Sequence, residues 1–428
     1  MSGIVSYGTY LPRHRLGDRV VASYDEDATT MAVAAARAAG GTPSSVWFAT
    51  TSPPYLDKTN ASILHAALGL PRDLFAADVF GAPRSAIAAL RAASTSSGLA
   101  ALADVRVGLP DSADEKAGGD GAAAFVFGET DTIADLLATA SSTVEVLDRW
   151  RSPASANARG WEERFAAETL LPLIDDVKER ALGEAGLEAA DHVVLVSSSP
   201  GVRKAARRIS TATSPIGHAG AADVGLALAA VLDDAAPGET ILLISASDGV
   251  DALVFRTTEL LPSRRPQPVS AQRAGIAVEY TRYLTWRGLL HREPPRRPEP
   301  EAPAGPPSAR AAAWKYGFTG STCTKCGFVH LPPARVCKSC GAADLMEPVS
   351  LSDASGTVAT YTVDHLAYSL SPPVIQAVID FDGGGRYTLE VADAQPDELA
   401  VGRRVSLSFR RLFTANDVHN YFWKARLL

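Results

Sequence analysis

The chain has 428 residues, 46% of them hydrophobic and 21% charged, and a formal net charge of −7. That length and balance suit two or three globular domains with sizeable cores, and the acidic balance argues against nucleic acid as the principal partner. No apolar run approaches the roughly 18–20 residues of a membrane span. The opening "MSGIVSYGTYLPRHRL" has no basic region followed by an apolar stretch, so no signal peptide is expected and the expected compartment is the cytoplasm.

From the first residues to about Leu261, strand and helix patterns alternate. "GIVSYGTYLP" and "SSVWFATTS" read as strands, and "ATTMAVAAARAAG" reads as an alanine-rich helix. "GDGAAAFVFGE" is a glycine-led buried strand, and "AAETLLPLIDDVKERALGEAG" is an amphipathic helix with a glycine stop. "DHVVLVSSS", "ETILLISAS" and "DALVFRTTE" are three further apolar strands. This alternation predicts an α/β layered fold. In each half a helix precedes an apolar strand, and a later small-residue segment ("FGAPRSAIAALRAA", "IGHAGAADVGLALAAVLDD") leads into another helix. A duplicated α/β unit explains that repetition. The basic run in "GVRKAARRIS" reads as a solvated helix face.

"GIAVEYTRYLTWRGLLHR" predicts a short docking helix with Tyr, Leu and Trp on one face. Residues 292–309 then hold seven prolines in eighteen residues, the composition of an extended tether. The expected organisation is an α/β domain over 1–270, a docking helix and linker over 271–310, a cysteine module over 311–346 and a β-barrel over 347–428. In the last part "GTVATYTVDH", "VIQAVIDF", "RYTLEVAD" and "RVSLSFRRLF" are strands spaced by turn residues, which suits a small closed barrel.

All four cysteines lie in "CTKCGFVHLPPARVCKSCGA", and the first 322 residues contain none. Cys323, Cys326, Cys337 and Cys340 form two CxxC knuckles ten residues apart, each followed by glycine. Four thiolates at this spacing suit one tetrahedral metal ion, zinc in preference to a rubredoxin-type iron. Disulfides are disfavoured in a cytoplasmic chain. His330 is not needed as a ligand. With four protein ligands and no open position, the metal is structural.

"GIVSYGTYLPRHRL", "DEDATTMAVAAARAA", "DVFGAPRSAIAAL", "GDGAAAFVFG" and "IGHAGAADVGLALAAVLDDAAPGETILLISASDGVDALVF" together resemble hydroxymethylglutaryl-CoA synthases of the thiolase superfamily, the archaeal type in particular. The chain from about residue 311 resembles the DUF35-type zinc-ribbon and OB-fold proteins. The resemblance implies a duplicated, layered thiolase fold followed by a rubredoxin-like ribbon and an OB barrel. It also implies a catalytic cysteine, glutamate and histidine. The cysteine position falls in "GAPRS" at Pro83, the glutamate position in "FATTSPPY" at Thr51, and the histidine position in "VVLVSSSPG" at Val196 or Ser197.

With all three replaced, no catalytic residue is expected, and the cysteine turn reads as a retired nucleophile elbow. Ser85, Ser197, Ser198 and Ser199 read as small residues filling a vacated pocket, since no histidine is recognisable beside them to act as base. His218, where the family has an asparagine-like polar group, reads as a structural histidine. The resemblance then implies a non-catalytic accessory subunit of a thiolase-type acyl-CoA complex, partnered by a thiolase-type catalytic subunit and itself a homodimer or part of a heteromer. Its OB module would help to bind CoA or an acyl carrier, and the CoA ester is the expected ligand. The alternative is a divergent acyl-CoA synthase, aldolase or acyltransferase without a cysteine, with His218, His365 or Tyr368 as its candidates. A third reading, single-stranded nucleic acid on the barrel, would use Arg386, Arg403, Arg404, Arg410, Arg411, Phe413, Tyr421 and Phe422, but those arginines suit the phosphates of CoA equally well.

Overall fold

A computed structural model describes residues 2–152, 155, 157–161, 163–293 and 295–428. Pro294, within the proline-rich stretch, lies outside the described residues. The chain forms two compact units. The first comprises residues 1–23, 27–62 and 72–280, and the second comprises 24–26, 63–71 and 281–428.

The first unit is built on nine strands, in two halves of matching topology. In the first half β1 (Gly3–Tyr10) runs antiparallel to β5 (Gly121–Gly128), and β5 runs antiparallel to β4 (Leu99–Asp104). β4 is parallel to β2 (Ser45–Thr50), and β2 is parallel to the edge strand β3 (Phe75–Phe80). The second half repeats the scheme. β6 (Ala134–Ser142) is antiparallel to β9 (Val250–Thr257), β9 to β8 (Thr240–Ala246), and β8 is parallel to β7 (His192–Ser197). Even the edge is echoed, because Ala212 makes a parallel bridge to Val194 of β7. The halves join through the β1–β6 pairing of Gly3 and Ile4 with Asp135 and Ala134. The duplication expected from the repeated segments is therefore present, with four strands matched and the fifth echoed by a single bridge.

Helices fill the layers. α1 (Ala28–Ala39) starts at Asp27, whose side chain accepts from the Thr30 N–H while Thr30 reaches back to the Asp27 N–H. It covers β1, β4 and β5. α2 (Ser85–Thr95) and α5 (Ala222–Leu232) share one core with residues of both halves, Ile87, Leu90, Leu226 and Leu228 among them. Their alanine-rich faces let the two buried helices approach closely. α3 (Glu163–Glu184) closes a second core on β6, β8 and β9 through Leu170, Ile174 and Val177. It ends at Gly186, as the glycine stop predicts. A short α4 (Pro200–Ala206) follows β7, with Ser199 capping it.

In the second unit a ribbon sheet pairs β10 (Thr319–Cys323) with both β11 (Val329–His330) and β12 (Met346–Ser350). A closed five-strand barrel follows, in the order β13 (Gly356–Asp364), β14 (Val374–Phe381), β15 (Arg386–Ala392), β17 (Val418–Leu427) and β16 (Arg404–Ala415). The expected short helix occurs at Tyr280–Trp286, with Tyr283 and Trp286 buried. The proline-rich stretch departs from a fully extended tether. Gly305–Arg310 is a helical turn, accommodated because its two prolines sit at the first positions, where no N–H is needed. Among the described residues no helix is long and apolar enough to cross a membrane.

Candidate functional site

In the first unit the carboxyl ends of β2, β4, β7 and β8 converge with two loops, the usual place for a site in a layered α/β fold. Asp104 closes β4 and is fully buried. Its Oδ1 accepts from Thr50 Oγ1 (2.8 Å), Thr51 N (2.7 Å) and Ser52 Oγ (2.8 Å). Its Oδ2 accepts from Thr51 Oγ1 (2.9 Å) and Ala221 N (2.5 Å). The carboxylate thus ties the end of β2 to the loop entering α5. Beside it, Arg106 Nη1 donates to Thr51 Oγ1 at 3.0 Å. Burial depresses the Arg106 guanidinium, and the neighbouring Asp104 opposes that shift.

The loop 216–221 is held just as closely. His218 N donates to Ala117 O at 2.8 Å, and Gly119 N donates to His218 O at 3.3 Å. Gly217 has φ +85°, and a Cβ there would lie 2.6 Å from Ala117 O. Gly220 has φ +60°, and its Cβ would lie 1.9 Å from Asp104 Oδ2. Glycine is required at both positions for backbone conformation and for space.

This framework opens on a cleft of about 610 Å³. Arg19, Lys116, Arg203, Lys204 and Arg207 line it, against Asp18 and Asp223. Its inner wall includes Val196, Ser197 and His218. Behind that wall lies a void of about 10 Å³ that also touches Pro83, Ser198 and Ser247. The basic run read from the sequence as a solvated face therefore contributes three cations to a cleft. The sequence shows the charges of α4 but not that the turn after β7 swings them over it.

His218 is 6% exposed. Its Nδ1 lies 3.2 Å from Asp223 Oδ2, while its Nε2 is buried with no hydrogen-bond partner. Burial pushes its pKa down. Asp223 opposes the shift, and the Arg106 and Arg203 guanidinium groups reinforce it.

Comparison with known proteins gives these positions a frame. The chain is 30% identical over 343 residues to the hydroxymethylglutaryl-CoA synthase of Archaeoglobus fulgidus, an alignment covering 67% of this chain and 98% of the relative. The chain belongs to the hydroxymethylglutaryl-CoA synthase family. The synthase of Methanopyrus kandleri is also 30% identical (65% and 92% covered), and that of Pyrobaculum aerophilum is 29% identical (67% and 98%). Among solved structures, an HMG-CoA synthase complexed with CoA superposes with a TM-score of 0.57 at 16% identity, covering 66% of this chain and 89% of that one. PksG, an HMG-CoA synthase from Bacillus subtilis, gives 0.55 at 18% (67% and 89%). Both report the thiolase-like fold. Residues 310–345 match the rubredoxin-like zinc ribbon domain of ChsH2, and residues 349–410 match its C-terminal OB-fold domain.

The positions at which the sequence resemblance expects the family's reactive residues fall where the framework has just been described. Pro83 heads the turn into α2, and Thr51 is absorbed in the Asp104–Arg106 network. Val196 and Ser197 end β7. None of the three serines at the end of β7 and just beyond it is poised for attack. Ser197 Oγ donates to Ala246 O at 2.6 Å, Ser198 Oγ pairs with Ser247 Oγ at 3.0 Å, and Ser199 caps α4. Ser85 Oγ is buried and unpartnered, but the hydrogen bonds of His218 do not reach it. Arg84, next to Pro83, donates to both oxygens of Asp251 (2.8 and 3.1 Å) and to Asp248 O, fixing the turn against β9.

In the ribbon the four thiols lie within 4.8 Å of one another. The Cys323–Cys340 and Cys326–Cys337 Sγ separations are 3.7 and 3.5 Å. A tetrahedron with metal–sulfur bonds near 2.3 Å requires about 3.8 Å, whereas a disulfide requires about 2 Å. The donor set therefore fits one zinc ion. His330 is buried next to Phe328 and outside this cluster.

The barrel arginines are largely committed. Arg386 pairs with Asp380 and Arg404 with Asp382. Arg410 is 1% exposed and contacts Asp25 (3.3 Å), Glu26 (2.8 Å) and Asp393 (2.6 Å). Lys424, equally buried, contacts Asp25 at 2.9 Å and Glu390 at 2.8 Å. These carboxylates hold Lys424 well above its ordinary range against the pull of burial. Tyr421 is buried, and Phe422 packs on Trp314 and Tyr387. Of the arginine–aromatic set offered for phosphates or bases, Arg410 and Tyr421 are internal, whereas Arg386, Arg403 and Arg404 are exposed. His365 and Tyr368 stand on an exposed barrel loop with Leu366 and Leu370.

Proposed function

We propose that this chain binds a CoA ester in the cationic cleft of its first unit and serves as the accessory subunit of a thiolase-type acyl-CoA complex. The observation that carries this reading is the cleft itself. Cations line it as CoA phosphates would require, and Val196 and Ser197 of its wall, with Pro83 at the void behind, are positions where the resemblance expects reactive residues. With proline, threonine and valine or serine at those positions, the chain has no thiol to carry an acyl group and no carboxylate to move a proton from an acyl methyl. Carbon–carbon bond chemistry then falls to a separate thiolase-type chain working with it in the cytoplasm.

One zinc ion held by Cys323, Cys326, Cys337 and Cys340 supplies structural cross-linking of the ribbon and no catalysis. The paired state of the barrel arginines moves CoA binding to the first unit. It leaves the exposed loop of Leu366, Tyr368 and Leu370 as the barrel's contact with a partner. The edge strand β3, with Phe75 59% and Phe80 46% exposed, is the surface through which a homodimer or an equivalent heteromer would form.

The test measures CoA binding calorimetrically, then acyl transfer and condensation by this chain alone, by a thiolase-type partner alone and by the two co-expressed. Condensation confined to the complex is the expected result. Condensation by this chain alone at the rate of the complex refutes it.

A further inference from the structure

We propose that His218 and Asp223 form a general-base dyad that hydrolyses a thioester held in the cleft. The inference rests on the reading that the cleft takes a CoA ester, and adds a reaction that reading does not contain.

The tautomer follows from the partner. A carboxylate only accepts, so the 3.2 Å contact to Asp223 Oδ2 places the ring proton on Nδ1 and leaves the lone pair on Nε2. That nitrogen is buried without a protein partner. Leaving such a group unsatisfied costs about 1–3 kcal/mol. His218 lines two spaces, the 610 Å³ cleft and the void of about 10 Å³. The smaller is close to the volume one water needs. The hydroxyls of Ser197 and Ser198 are engaged elsewhere.

The groups facing the ring are Asp223 of α5, Arg106 after β4, Arg203 of α4 and Asp114 on the segment opposite. Two cations and burial keep the imidazole neutral near pH 7, the state a base requires.

The step balances with water as the sole co-reactant. The water oxygen attacks the thioester carbonyl carbon as one of its protons passes to His218 Nε2. The tetrahedral adduct then collapses, the C–S bond breaks, and the departing sulfur takes the proton back from the imidazolium. The products are a carboxylic acid and CoA thiol, with no change of oxidation state. Asp223 is a positioning residue that holds the ring and its tautomer.

The experiment incubates the full-length chain with acetyl-CoA and follows thiol release with a chromogenic disulfide, while calorimetry measures CoA binding separately. The expected result is hydrolysis above the uncatalysed rate, lowered about 100-fold by H218Q with CoA affinity unchanged. D223N is expected to retain binding and to shift the pH–rate profile, because an amide no longer enforces the Nδ1–H tautomer. H218N provides a second variant if H218Q folds poorly. A chain that binds CoA but releases no thiol, or an H218Q variant as fast as the parent, overturns the dyad and leaves the cleft reading standing. A chain that does not bind CoA overturns both.

Discussion

Replacing Asp104 by asparagine is a sharp test of how the site is held. In the better amide orientation Oδ1 still accepts from Thr50, Thr51 N and Ser52, but the new NH2 faces the Ala221 N–H, which can only donate. The opposite orientation is worse, because it sets the NH2 against the Thr51 N–H. One buried donor is orphaned, at about 1–3 kcal/mol, and the surviving bonds lose their charge assistance, at about 1 kcal/mol each. The Arg106 guanidinium also loses the charge that most opposes its desolvation. The expected total is about 4–6 kcal/mol, which for a unit of this size lowers the melting temperature by about 10 °C or more. Thermal unfolding followed by circular dichroism reads this directly. A D104N variant melting within 2 °C of the parent (about 1 kcal/mol or less) refutes the claim that one carboxylate ties the end of β2 to the loop before α5.

Three further outcomes follow from the same structure. Arg410→Met removes the buried guanidinium shared by Asp25, Glu26 and Asp393 and is expected to cost about 3–5 kcal/mol in thermal unfolding, whereas Arg386→Ala on the exposed Asp380 pair leaves the melting temperature unchanged; equal effects would contradict the burial argument. Metal analysis is expected to return one zinc per chain, lost in Cys326→Ser, and chelation is expected to make the segment from Thr319 to Ser350 sensitive to protease; iron, or no metal, would contradict the assignment. His218 titrates lower in the folded chain than in the unfolded one, so below about pH 6.5 the unfolded state takes up the proton first and stability falls, by up to about 1.4 kcal/mol per pH unit until the folded pKa is passed. H218Q should remove that part of the pH dependence, and an unchanged profile would contradict it.

What the sequence revealed was local or periodic. The two CxxC knuckles are legible because their ligands lie within eighteen residues, and the layered fold is legible because the repeated helix–strand order survives in both halves. The Asp104 hub was not legible, since it joins residues 53 positions before it to one 117 positions after it, and nothing in "LAALADVR" distinguishes a hub from a strand-end aspartate. Arg410 was misread, and Lys424 passed over, for a related reason. Charged residues on barrel strands are expected to face outward, but here they face carboxylates from β15, the turn beyond it and the distant Asp25 and Glu26. His218 was visible, but the vacancy at its Nε2 exists only in three dimensions.

The confinement of every cysteine to the ribbon has a practical consequence. Once a metal ion occupies all four sulfurs, the native protein presents no competing thiol, so a single cysteine introduced anywhere in the first 322 residues becomes a unique chemical handle. A fluorophore or spin label at Lys204 or Lys116 would then report entry of a ligand into the cleft without background from the rest of the molecule.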